Sequence, residues 1–186
     1  MDKRQFLKLF FVLPMLTYSS LGVTHTPYRQ WKVMRQRYLL VHSYRTNMKT
    51  DSLADTIVER LNRLLPESKS RVARARNAQR VGSLITTGQA VLAVMENGDA
   101  LNLYKGKSQF RGLKKHAIRS IITEGNMSLV ASISFPKHHA WLVTAALLDD
   151  KDESVYVPSS EHFDDLLPMH DGVIEYLKGT HLEDLQ

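Results

Sequence analysis

The sequence contains no cysteine. That absence excludes disulfide staples, a thiolate nucleophile, thiolate zinc or iron–sulfur sites and covalent haem attachment. Glycine and proline are sparse, 9 and 6 among 186 residues, and no low-complexity tract occurs, so collagen-like and disordered readings fall away. No apolar run reaches the ~20 residues of a bilayer-spanning helix, which removes a multi-span membrane protein. Also missing are a serine nucleophile elbow, a P-loop, a dinucleotide-binding glycine pattern and HExxH. With none of these, no catalytic residue can be nominated, and the expectation is a non-catalytic protein without a cofactor. What remains is 43% hydrophobic and 24% charged, which is enough for one core and too little for two large domains.

Charge is distributed more tellingly than its total of +6. Residues 1–50 carry nine Lys/Arg against Asp2, a net of +8. Residues 51–120 carry thirteen basic against six acidic groups, a net of +7, and residues 121–186 carry three Lys against twelve Asp/Glu, a net of −9. Such lopsidedness fits either an anionic partner for the first part or two halves that attract each other.

The N-terminus has the layout of an export signal. The basic head DKRQFLK precedes LFFVLPMLTYSSLGV, an apolar stretch of signal-peptide length interrupted by Pro14. The head resembles the twin-arginine export motif: Arg4, Gln5, Phe6, Leu7 and Lys8 match, and Lys3 stands where the first arginine is usual. Both the twin-arginine and the general secretory routes therefore stay open. Ser20, Leu21 and Gly22 form a small-x-small triplet, which sets an expected cut after Gly22. The expected organisation is a signal peptide over 1–22, a basic linker over 23–37 and one lobe over 38–186, located in a bacterial periplasm. The alternative is an uncleaved N-terminal helix.

Downstream, strand and helix patterns alternate. Tyr38–His42 (YLLVH) suits a buried strand, followed by the polar loop SYRTNMKTD. Residues 52–65 place Leu53, Ile57, Val58, Leu61, Leu64 and Leu65 on one helical face, with Asp51 or Ser52 as the cap and Pro66 as the stop. Residues 70–76 read as an edge-like strand, and 77–89 as a helix with Val81, Leu84 and Ile85 inward. AVLAVM at 90–95 is the clearest buried strand, and a short helical piece ends near Gly106. Strands at 117–124 and 128–134 flank a hairpin-like GNM, and helices follow at 138–148 and 171–178. This order predicts an α/β fold, a three-layer, mostly parallel sheet.

Three stretches carry a family resemblance. RNAQRVGSLITTGQAVLAVMENGDALNLYKG and SLVASISFPKHHAWLVTAALLDD resemble blocks of the type 2 periplasmic binding proteins, the second matching their return strand and following helix. LPMHDGVIEYLKG is similar to the terminal P-x-H-x-G-A-x-x-Y-Y block of the TAXI solute receptors associated with TRAP transporters, with Val173 for Ala and Leu177 for the second Tyr. The resemblance implies an exported solute-binding module. It also implies two lobes, whereas here only GNM and its flanks stand where the second lobe would be inserted. The expected fold is therefore a single lobe, and capture of a small solute would need a second chain to complete the cleft.

In an open parallel sheet, ligands sit beyond the carboxyl ends of the strands. That rule selects Ser43, Tyr44, Arg45 and Thr46 after the first strand, Arg76, Asn77 and Arg80 after the second, and Glu96, Asn97 and Asp99 after the third. Arginines there suit a carboxylate or phosphate, since the guanidinium fork grips two oxygens. The expected partner is a small anionic solute or a periplasmic protein, the alternative function being an accessory subunit of a periplasmic enzyme or transporter. Arg71, Arg74, Arg76 and Arg80 also raise nucleic-acid binding, but no aromatic interleaves them and no recognition motif appears, so no nucleic acid is expected. Membrane contact is expected only through the signal or a membrane-bound partner. His162, Asp164, Asp165, His170 and Asp171 raise a small metal-dependent enzyme, but their spacing matches no helical zinc signature, and His170 falls in the packing motif of the resembling family. His138 and His139, adjacent beside Trp141, are expected to face different ways. Trp31 and Trp141 read as core.

Overall fold

The structure, a computed structural model, describes residues 37–148 and 167–185. The expected signal peptide and linker, Trp31, and His162, Asp164 and Asp165 lie outside the described residues. The elements run β1 (Leu40–Tyr44), α1 (Met48–Leu64), β2 (Arg71–Ala75), α2 (Ala78–Thr86), β3 (Leu92–Glu96), α3 (Asn97–Lys105), β4 (Ile118–Glu124), β5 (Met127–Ser132), α4 (Lys137–Leu148) and α5 (Asp171–Leu177). Short 3-10 turns occupy 66–68, 108–110 and 182–185.

The α/β class holds. The strands form one sheet in the order β2-β1-β3-β5-β4. β1 pairs in parallel with β2 and β3, whereas β5 is antiparallel to both β3 and β4. Four strands therefore share one direction and β5 alone opposes them. A parallel bridge between Ser120 and Met169 extends the β4 edge.

Helices cover both faces because the inner strands are apolar on both sides. On one face Val41, Leu92, Val94, Leu129 and Ala131 pack against Leu53, Ile57 and Leu61 of α1, Val143 and Leu147 of α4 and Val173 of α5. On the other, Ala93, Met95, Val130 and Ile118 pack against Val81 and Ile85 of α2, Leu103 of α3 and Phe110. A bulge at Ile121 breaks the alternation of β4, so Ile121 and Ile122 both enter the first cluster.

Several boundaries differ from the sequence reading. β1 ends at Tyr44, so Ser43 and Tyr44 belong to the strand and are buried. α1 starts at Met48, capped by the Asn47 side chain accepting from the Lys49 N–H at 2.9 Å, because Asn47 lies in extended backbone one turn before Asp51. Leu64, at the helix end, is exposed. Asn77 is the cap of α2 and accepts from the Arg80 N–H at 2.9 Å. The hairpin turn is Gly125–Asn126, since Met127 already pairs with Glu124. The rings of His138 and His139 do not diverge: their centroids lie 4.1 Å apart. Trp141 is half-buried, donating to the Thr180 carbonyl at 3.0 Å and meeting Tyr176 edge-on.

The terminal block acts as a clasp. His170 Nδ1 accepts from the Gly172 N–H at 3.1 Å, which makes Nε2 the protonated nitrogen, and Nε2 donates to the Phe135 carbonyl at 3.1 Å. Burial, its largest influence, holds this imidazole below its ordinary range. Both ring nitrogens are committed to the fold.

Candidate functional site

The carboxyl ends of β1, β2, β3 and β4 share one rim of the sheet, and its polar side chains divide into two groups. The first group is satisfied internally. The Tyr44 hydroxyl accepts from the Glu96 N–H at 3.1 Å and donates to Asp99 Oδ2 at 3.0 Å. Burial, reinforced by the Asp99 and Glu96 carboxylates, pushes the phenol above its ordinary range despite the Glu96 N–H, so Tyr44 stays neutral. Gln109 donates to the other oxygen of Asp99 at 2.9 Å, and Asn47 Nδ2 donates to Glu96 Oε1 at 2.6 Å. Asn97 donates to the Gly125 carbonyl at 3.3 Å and accepts from Ser128 Oγ at 2.7 Å, tying the start of α3 to the β4–β5 hairpin.

Ser43 leads into a second knot. Its hydroxyl donates to Asp51 Oδ1 at 2.7 Å, while Arg74 Nε donates to Asp51 and Arg74 NH2 reaches both oxygens of Asp55. Arg74, first, and then Ser43 hold the Asp51 carboxyl below its usual range against some desolvation. Arg74 is thus neutralised locally. On the exposed edge strand β2 this knot also places charge where another strand would otherwise pair.

The second group is unsatisfied and cationic. Arg45 and Arg76 follow the last residues of paired strands, Tyr44 opposite Ala75, and the Arg45 N–H donates to the Ala75 carbonyl at 3.1 Å. The two residues therefore stand side by side at the β1–β2 ends. Arg45, Arg76 and Arg80 are all exposed, and their guanidinium groups have no hydrogen bond or ion pair to any described residue. Thr46 is exposed beside them, between Arg45 and the Asn47 cap.

The structure thus collects all the residues selected from the sequence on one rim but gives them different work. Ser43, Tyr44, Glu96, Asn97, Asn77 and Asp99 hold the fold together; Arg45, Thr46, Arg76 and Arg80 are exposed, with no side-chain hydrogen bond or ion pair to a described residue. The rim is polarised, with Arg45 and Arg76 over β1 and β2 and Glu96, Asp99 and Glu124 over β3 and β4. One Glu124 carboxylate oxygen is buried without a hydrogen-bond partner. Asn47 and Ser128 were missed in the sequence, and Asp51 was read only as a helix cap; Asn47 left a signal, as a cap-type residue preceding a helical pattern.

Among the described residues no group of three or more His, Asp or Glu is placed to hold a metal ion, and no helix is long and apolar enough to cross a membrane. Compared with known proteins, the chain matches no family model and no curated protein.

Proposed function

We propose that this chain is a non-catalytic, exported binding module of the periplasmic-binding-protein kind, built as one lobe, which takes a small anion at the carboxyl ends of β1 and β2. The observation that carries this reading is the pair Arg45 and Arg76: adjacent, exposed and without a hydrogen bond or ion pair to any described residue, on a rim where Tyr44, Asn47, Glu96, Asn97 and Asp99 are tied to one another or to the fold. Two arginines rooted on neighbouring strand ends, each with a guanidinium fork, suit the oxygens of a carboxylate or phosphate. The N-termini of α1 and α2 open on the same rim and favour negative charge. Glu96, Asp99 and Glu124 confine an anion to the β1–β2 side.

Thermal unfolding of the full chain with succinate and with inorganic phosphate tests the anion site. The melting temperature rises with anion concentration, since binding to the folded state alone stabilises it. The Arg45→Gln/Arg76→Gln variant loses that dependence. An equal response from both proteins, or none from either, refutes the site.

A further inference from the structure

A second concentration of positive charge without an ion pair among the described residues lies in the connection from α3 to β4. Residues 105–116, KGKSQFRGLKKH, contain Lys105, Lys107, Arg111, Lys114 and Lys115 and no acidic residue. Lys107, Arg111, Lys114 and Lys115 are exposed, and none of the five has a hydrogen bond or ion pair from its side chain to a described residue. The connection is nevertheless held in one shape. Phe110 is fully buried under it, its ring standing where a Cβ on Gly82 of α2 would be. The Lys107 N–H donates to the Asn102 carbonyl at 2.8 Å, that of Phe110 to Lys107 at 3.0 Å, that of Leu113 to Phe110 at 3.1 Å and that of His116 to Tyr104 at 2.9 Å. Arg119 braces the far end, donating to the carbonyls of His116 and Ile118 and lying 6.0 Å from the centre of the Tyr104 ring.

A fixed loop with one buried anchor and four outward cations concentrates like charge that folding alone would disperse, because such groups repel one another and gain nothing from the protein. We infer that Lys107, Arg111, Lys114 and Lys115 form a docking surface for the anionic headgroups of a phospholipid bilayer. Three features favour lipid over other polyanions. Lysines dominate, and these act as point charges for phosphate without the planar recognition of arginine. The four exposed cations lie within nine residues of one another on a loop anchored by the buried Phe110, so neighbouring headgroups can meet several of them together. Tyr104, the aromatic ring packed beside this loop among the described residues, is engaged by His116 at 4.5 Å and by Arg119 and is not offered for base stacking. The surface is distinct from the Arg45–Arg76 rim, and it does not depend on the anion-binding reading.

Vesicle co-sedimentation of the full chain tests this, with phosphatidylcholine vesicles and with mixed phosphatidylcholine–phosphatidylglycerol vesicles. The expected result is partition onto the mixed vesicles that weakens as salt rises, and that falls by at least about tenfold in the Lys107→Gln/Arg111→Gln/Lys114→Gln/Lys115→Gln variant. Partition onto the neutral vesicles is the same for both proteins, which separates the loop from the apolar stretch near the N-terminus. The Arg45→Gln/Arg76→Gln variant keeps wild-type partition, so this surface and the anion rim fail or stand separately. Because the four side chains are exposed, the quadruple variant unfolds like the wild type, and a circular-dichroism melt verifies it. Equal partition of wild type and quadruple variant onto mixed vesicles overturns the inference. So does preferential capture by a single-stranded oligonucleotide that is lost in the same variant, which would assign the loop to nucleic acid.

Discussion

Replacing Gly172 with alanine separates close helix packing from simple helix propensity. Gly172 is the second residue of α5, where the helix crosses α4, and a Cβ there would meet the Lys137 carbonyl oxygen, with the Ala140 Cβ and the Trp141 backbone nitrogen both at 2.8 Å. Two of these three atoms are backbone and none is the end of a flexible side chain, so α5 itself must lift. Overpacking of this kind costs about 1–3 kcal/mol. Propensity works the other way, because alanine is favoured over glycine in a helix by up to about 1 kcal/mol. The net expectation is a loss of about 1–2 kcal/mol. Lifting α5 also strains the His170 clasp and the Trp141–Tyr176 contact, so urea unfolding followed by tryptophan fluorescence should show a lower midpoint with an unchanged slope. Gly98 in the first turn of α3 is the control, since a Cβ there has nothing within 4 Å. Gly98→Ala should be neutral or stabilising by up to about 1 kcal/mol. If Gly172→Ala behaves like Gly98→Ala, the close approach of α4 and α5 is not what requires glycine, and the reasoning fails.

Tyr44→Phe should cost about 1–3 kcal/mol in the same assay, because the Glu96 N–H loses its acceptor while Asp99 keeps Gln109; a neutral result would mean that water replaces the hydroxyl. His170 is held below the ordinary imidazole range, so on acidification the unfolded chain binds its proton first. Stability is therefore complete above about pH 6.5 and falls as the pH drops through the imidazole range. His139, lowered by burial and then by His138, acts in the same direction. His170→Asn keeps a side-chain oxygen for the Gly172 N–H and should flatten that fall, whereas an unchanged pH profile would remove His170 from the account. Export predicts that intact-mass analysis of the periplasmic fraction finds a product starting at Val23; a product retaining residues 1–22 inside the cell would contradict it.

Most of the scaffold was legible in the sequence. AVLAVM announced β3 because a strand covered on both faces must be apolar throughout, and Gly106 marked the end of α3, where it adopts φ +64°. The end of β1 was harder: Ser43 and Tyr44 read as polar loop because their partners lie farther along the chain, Tyr44 reaching Asp99 across 55 residues. The bulge at Ile121 left no mark, since IRSIITE is apolar enough for either register. The candidate site was legible as a location, through the rule about strand ends. Which of its residues are spent on the fold was not, because self-satisfaction depends on which side chains meet across the rim. Arg74 and Arg76 look alike in RVARAR; only the register, which sets Arg74 against Asp51 and Asp55, neutralises one and leaves the other.

The anion-binding rim is tested most directly by an amide NMR titration of the full chain with succinate. The prediction is saturable shifts concentrated at residues 45–47 and 76–78, lost in Arg45→Gln/Arg76→Gln. Shifts spread evenly over every exposed cation, or confined to residues 107–115, would contradict it.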